Sequence, residues 1–192
     1  MEKQISRYEA LNELAQPGGV AILGGEQDRG LPLGELKQVF ELKEAIYNRS
    51  VTGLSVENGA AVYDRCVALL EPDALFIHIG EADKALFEQK PSYFDHKMRL
   101  LLQYIQAVDQ RCQIGLISLR PEDDPVFIAM NKHLSAIAQT ERCAFCQIPE
   151  ANVWNPRHRK DVISFVYSTG FVRPLNRKRP VYDLAKLLFG CL

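Results

Sequence analysis

A chain of 192 residues is long enough for one domain with a substantial core, and 47% hydrophobic with 24% charged residues is the ordinary mix of a folded globular protein. A net charge of -1 gives no reason to expect a nucleic-acid or membrane partner, and no apolar run is long enough to span a bilayer. The charge is uneven: from Pro156 onward there are 8 Lys/Arg against 2 Asp/Glu, a local +6 that leaves -7 for the rest. That basic segment reads as solvated surface or as an ion-pair partner for the acidic body. Anion binding or contact between copies in a homo-oligomer is the sharper alternative.

Glu2 to Ala15 is expected to form a surface helix with Ile5, Tyr8, Leu11 and Leu14 on one face, ended by Pro17-Gly18-Gly19. Met1 to Gln16 is too polar for a secretory leader, so the cytoplasm is the expected compartment. Val20 to Gly24 reads as a buried parallel strand opening into a polar turn with Glu26, Asp28 and Arg29. Leu33 to Ile46 has mixed helical character, and a short strand is expected near Ile46–Val51. A helix from Asn58 or Gly59 to Leu70 would bury Val62, Cys66, Leu69 and Leu70. Ala74 to Ile79 is a second buried strand, ending in Gly80 and acids. Pro91-Ser92 opens a long helix to about Val108, with Ser92 as a plausible N-cap. Ile114–Leu119 is a strand, Val126 to Gln139 an amphipathic helix, and Cys143–Ile148 a last strand. Asp161–Tyr167 is ambiguous between helix and strand, and Val181 to Phe189 reads as a short terminal helix.

Strands alternating with helices predict a single three-layer α/β/α domain around a parallel sheet of about five strands, flavodoxin-like in architecture. Its parts are an N-terminal helix in 1–17, a core in 18–160 and a basic extension in 161–192. Ligands of open α/β sheets bind beyond the carboxyl ends of the strands, so the turn after Gly24 is the expected site.

Five cysteines without a secretory leader point to free thiols, and Cys143-Ala-Phe-Cys146 lacks the second ligand pair of a zinc site. No metal site and no cofactor is implied. The glycines at 18–19 and 24–25 match neither Gly-x-Gly-x-x-Gly nor a P-loop.

Several blocks in order resemble the SGNH (GDSL-type) hydrolases. Leu23-Gly24-Gly25-Glu26, with Gly30 behind it, resembles that family's strand running into Gly-Asp-Ser. Asn48-Arg-Ser-Val-Thr-Gly53 before a helix resembles the second block, and Ile79-Gly80-Glu81-Ala82-Asp83 the strand into Gly-x-Asn-Asp. Asn131 to Ala138 looks like the late helix, and Asn155-Pro-Arg-His158 has the spacing of Asp-x-x-His. The resemblance spans about 18–160 and implies the SGNH fold. It also implies where catalysis would sit. The nucleophilic serine maps onto Glu26, the adjacent aspartate onto Gly25, the oxyanion asparagine onto Ala82 and the orienting aspartate onto Asn155. Gly53 and His158 keep the family's residue types.

An acyl-transfer triad needs a hydroxyl nucleophile, an imidazole base and a group that orients it. A carboxylate at 26 would repel the developing oxyanion, and loss of one oxyanion donor alone costs on the order of 10²–10³ in rate. The first expectation is therefore a divergent SGNH-like protein without serine esterase activity. It would bind a small ligand or partner at the sheet's carboxyl edge through Gly25, Asp28, Gly53, Glu81, Asp83 and Asn155. The second is an active hydrolase of ester or glycan-ester substrates, with Glu26 and His158 as an acid–base pair activating water. The third is a flavodoxin-like ligand-binding domain unrelated to hydrolases.

Each residue also has a plainer expectation. Glu26 and Asp28 would sit in a solvated turn, and Asp83 would cap the following turn. His78 would be a satisfied core histidine, and His96 and His133 surface or packing residues. Arg120 to Asp124 would form a solvated loop.

Overall fold

The computed structural model describes residues 1–39, 45–120 and 124–147. The expected segment 161–192, together with Asn155 and His158, lies outside these residues, as does the stretch after Val39 expected to be helical. A five-stranded sheet, parallel throughout, forms the centre: β1 (Val20–Gly24), β2 (Ile46–Asn48), β3 (Ala74–His78), β4 (Gln113–Ile117) and β5 (Ala144–Cys146), in the order β2-β1-β3-β4-β5. The helices are α1 (Glu2–Asn12), α2 (Leu33–Val39), α3 (Gly59–Cys66), α4 (Lys84–Gln89), α5 (Pro91–Val108) and α6 (Pro125–Thr140). No helix among the described residues is long and apolar enough to cross a membrane.

Every residue of β1 and of β3 is buried, because both strands are inside the sheet and covered on both faces. This is why their sequences run apolar instead of alternating. α5 buries Phe94, Met98, Leu101, Leu102 and Ile105, a helical stripe facing the core. Each such side chain contributes about 1.5–3 kcal/mol of burial.

Four local expectations are corrected. On α1, Leu11 and Leu14 are exposed (42% and 85%), while the polar Asn12 is buried. The helix ends at Asn12, so Leu14 falls outside its periodicity, and a side-chain hydrogen bond from Asn12 to the Cys66 carbonyl (2.8 Å) anchors that end. After α3 the chain tightens into a 3₁₀ turn at Ala68–Leu70. The change of pitch turns Leu69 outward, and Tyr63 is buried instead. α5 starts with Lys90 as N-cap and Pro91 in its first turn, so Ser92 does not cap it. Asp124 is not a free loop residue. Its carboxylate caps α6 by accepting from the Val126 N–H (2.9 Å) and pairs with Lys84 (2.6 Å). The four described cysteines, Cys66, Cys112, Cys143 and Cys146, are free thiols.

Candidate functional site

The polar turn after β1 is built on a missing side chain. A Cβ on Gly24 would lie 2.0 Å from Asp28 Oδ2. With glycine there, the 3₁₀ turn Glu26–Asp28 folds the Asp28 carboxylate back over the strand end. It meets His78, the last residue of β3, which lies in register with Gly24. His78 Nδ1 is 2.8 and 3.0 Å from the two carboxylate oxygens, and both residues are buried. Asp28 is thus not in a solvated turn. It ties the ends of β1 and β3 together at the point where the strand order reverses, the position at which open sheets hold ligands.

Glu26 points the other way, with just over half of its side chain exposed. Its carboxylate accepts hydrogen bonds from the Thr52 hydroxyl and from Arg29 Nη1 (2.6 Å). Arg29 Nη1 also donates to Thr52 Oγ1 (3.1 Å), so the three side chains close a small network. The Thr52 hydroxyl, and after it the Arg29 guanidinium, hold the Glu26 carboxyl below its usual range.

The segment after β2 brings Thr52 and Gly53 to this turn. Its backbone continues along β1, with the Arg49 N–H donating to the Ile22 carbonyl (2.8 Å) and the Val51 N–H to the Gly24 carbonyl (2.9 Å). Asn48 Nδ2 donates to the Asp28 carbonyl (2.7 Å), and Asn48 Oδ1 accepts from the Ser50 N–H (3.0 Å). Gly53 has a positive φ of 76°, which favours glycine, and its carbonyl accepts from Asn58 Nδ2 (2.9 Å).

The turn after β3 supplies the third wall. Gly80 has φ 136°, and a Cβ there would sit 2.8 Å from a Leu119 methyl. Glu81 is exposed, accepts from Gln27 Nε2 (3.4 Å), and lies 3.2 Å from where a Gly25 Cβ would stand. Ala82 presents only a methyl group to solvent. Asp83 is buried (2%), and both of its oxygens face the Val56 N–H at 3.1 and 3.2 Å. It stands at the N-cap position of α4, but its side chain makes no capping bond there: it supports the wall from beneath by tying it to the 54–56 segment. Burial, the dominant cause, pushes its carboxyl up to about 6 against the single backbone donor.

Of the expected site residues, Glu26, Gly25 and Glu81 therefore share one edge of the sheet with Gly53, while Asp28 and Asp83 lie below it. Asn155 and His158 lie outside the described residues. Sequence reasoning named Arg29 in the polar turn and Arg120 in a solvated loop but gave neither a role in the site. The i,i+3 spacing of Glu26 and Arg29 on a tight turn was the available signal for the first. Arg120, just past β4, has a buried Nε with no partner among the described residues, beside a pocket of about 10 Å³, room for a single water. Among the described residues no three His, Cys, Asp or Glu side chains gather as a metal site requires.

The fold is that of the SGNH (GDSL-type) hydrolases. An acylhydrolase assignment from Bacteroides fragilis NCTC 9343 superposes with a TM-score of 0.62 at 19% identity, covering 81% of this chain and 85% of that one. A GDSL-like lipase from Bacteroides thetaiotaomicron VPI-5482 gives 0.59 at 18%, covering 75% and 77%. An acetyl xylan esterase gives 0.60 at 12%, covering 89% and 98%. At such identities the likeness concerns architecture alone. No protein-family model matches the chain, and no curated protein matches it.

Proposed function

We propose that this is an SGNH-fold protein whose strand-end cleft binds a small ligand and does not cleave esters through a serine nucleophile. One observation carries the reading: at the position the resemblance gives to serine stands Glu26, whose carboxylate is engaged by Thr52 and Arg29. An ionised carboxylate there opposes negative charge on an attacked carbonyl oxygen, and Ala82 offers no side-chain donor to that oxygen. Glu26 and Glu81 both accept hydrogen bonds, which suits a ligand bearing hydroxyl groups. The acetyl xylan esterase among the similar structures favours a saccharide or an acylated saccharide as the first ligands to try.

The test is hydrolysis of p-nitrophenyl acetate by the wild type, Glu26→Ala and His158→Ala. The expected result is a wild-type rate no higher than that of Glu26→Ala. Clear wild-type turnover abolished by both substitutions would overturn the reading and establish a Glu–His acid–base enzyme.

A further inference from the structure

The loop that carries Thr52 and Gly53 is held on one side by β1. On its other side it meets α1, an element that none of the resembling blocks includes. Gln4 Oε1 accepts a hydrogen bond from the Thr52 N–H (3.2 Å). The Tyr8 hydroxyl donates to the Ser50 carbonyl (2.9 Å). The Met1 methyl lies 3.4 Å from where a Gly53 Cβ would stand. At the far end of the helix, Asn12 Oδ1 accepts from Arg49 Nε (3.0 Å) and Nη2 (2.8 Å). The Arg49 guanidinium is buried with its carbon 5.2 and 5.3 Å from the ring centres of Tyr8 and Tyr47. α1 is itself fixed to α3 through Arg65, which pairs with Glu2 (2.8 Å) and Glu9 (2.6 Å).

This density of polar contacts is more than packing a surface helix requires. An amphipathic helix docks through an apolar stripe, yet the only fully apolar side chain that α1 buries is Ile5. Three of its other inward residues, Gln4, Tyr8 and Asn12, direct polar atoms at three loop residues, Thr52, Ser50 and Arg49. Hydrogen bonds are directional, so side chains of this kind hold the loop at defined atoms.

We propose that α1 is a positioning element of the cleft, in which Gln4 and Tyr8 hold the 49–53 loop so that the Thr52 hydroxyl reaches Glu26. The inference rests on the reading of Glu26 as the anchor of the site, but its test involves neither ligand nor ester. A failure of ligand binding and a failure of positioning are therefore seen separately.

The experiment is a carboxyl NMR titration of Glu26 in the full chain, comparing the wild type with the double variant Gln4→Met/Tyr8→Phe. Methionine keeps the bulk of Gln4 without its acceptor, and phenylalanine keeps the ring over Arg49 without the hydroxyl. Arg29 on the same turn and Glu81 across Gln27 remain in both proteins, so their charges cancel in the comparison. The expected result is a Glu26 midpoint raised by about half a pH unit, the effect of one weakened hydrogen bond to the ionised form, with the Glu81 midpoint unchanged. A helix that only adds stability would lower the unfolding temperature and leave the Glu26 curve superimposed on that of the wild type, and that result overturns the proposal. The single variants Gln4→Met and Tyr8→Phe carry the same readout should the double variant lose its fold.

Discussion

Replacing Asp83 by asparagine should change how the stability of this protein depends on pH, with a sign that the structure fixes. The carboxyl is buried under the site with one backbone donor shared between its two oxygens, and Glu57 adds like charge. Its folded-state value is raised from 3.8 to about 6, so the native state favours the protonated form. A carboxyl shifted upward contributes stability fully present below its unfolded value and lost as pH rises through its folded value. The whole span corresponds to about 3 kcal/mol, of which about 2 kcal/mol falls between about pH 4.5 and about pH 7.5. Asparagine retains an acceptor for the Val56 N–H and does not titrate. Urea unfolding of both proteins across that range gives the difference in free energy, in which all other titrating groups cancel to first order. The stability of Asp83→Asn relative to the wild type should therefore rise by about 2 kcal/mol from the acid to the neutral end. A difference that stays flat, or falls with pH, would refute the assignment of Asp83 as a carboxyl strained by burial.

Gly24→Ala should lose on the order of 3 kcal/mol in urea unfolding, because the added methyl group occupies the place of the Asp28 carboxylate and separates a buried pair. Gly34→Ala is the control: its Cβ meets nothing within 4 Å, and stability should be unchanged or slightly higher. Arg49→Met should cost about 2 kcal/mol or more, since it strips Asn12 of two donors and Tyr8 and Tyr47 of a cation. Arg49→Lys should recover little of this in the same thermal or urea unfolding, because an ammonium cannot reproduce the paired guanidinium bonds.

The central strands were legible because burial on both faces leaves an almost unbroken apolar run, as in Val20 to Leu23 and Leu75 to Ile77. Knowing where such strands end was enough to place Glu26, Gly25 and Glu81 at one edge, since parallel strands finish together. The Asp28–His78 pair was not legible. It depends on Gly24 and His78 being opposite one another, and register between strands 54 residues apart leaves no local trace in the chain. The docking of α1 escaped for a different reason. Periodicity reads apolar residues, and it assigned Leu11 and Leu14 to a face that the protein builds from Asn12 and a buried arginine. The solvent-facing Leu69 reflects a change of helical pitch after Cys66 that apolar spacing alone does not announce.

The side chains around residue 26 are arranged about a carboxylate. Arg29 Nη1 reaches both Glu26 Oε1 and Thr52 Oγ1, and the Thr52 hydroxyl reaches Glu26 Oε2. A serine at this position would be two heavy atoms shorter and uncharged. It would leave the guanidinium without its carboxylate and the Thr52 hydroxyl without its acceptor. The residues around position 26 are thus fitted to the length and charge of a glutamate. Below them, the absence of a side chain at Gly24 makes room for Asp28, and that carboxylate is spent on binding β1 to β3. The glutamate at residue 26 is consequently one part of a turn whose residues fit one another, and whose hydrogen bonds favour a fixed carboxylate at this edge of the sheet.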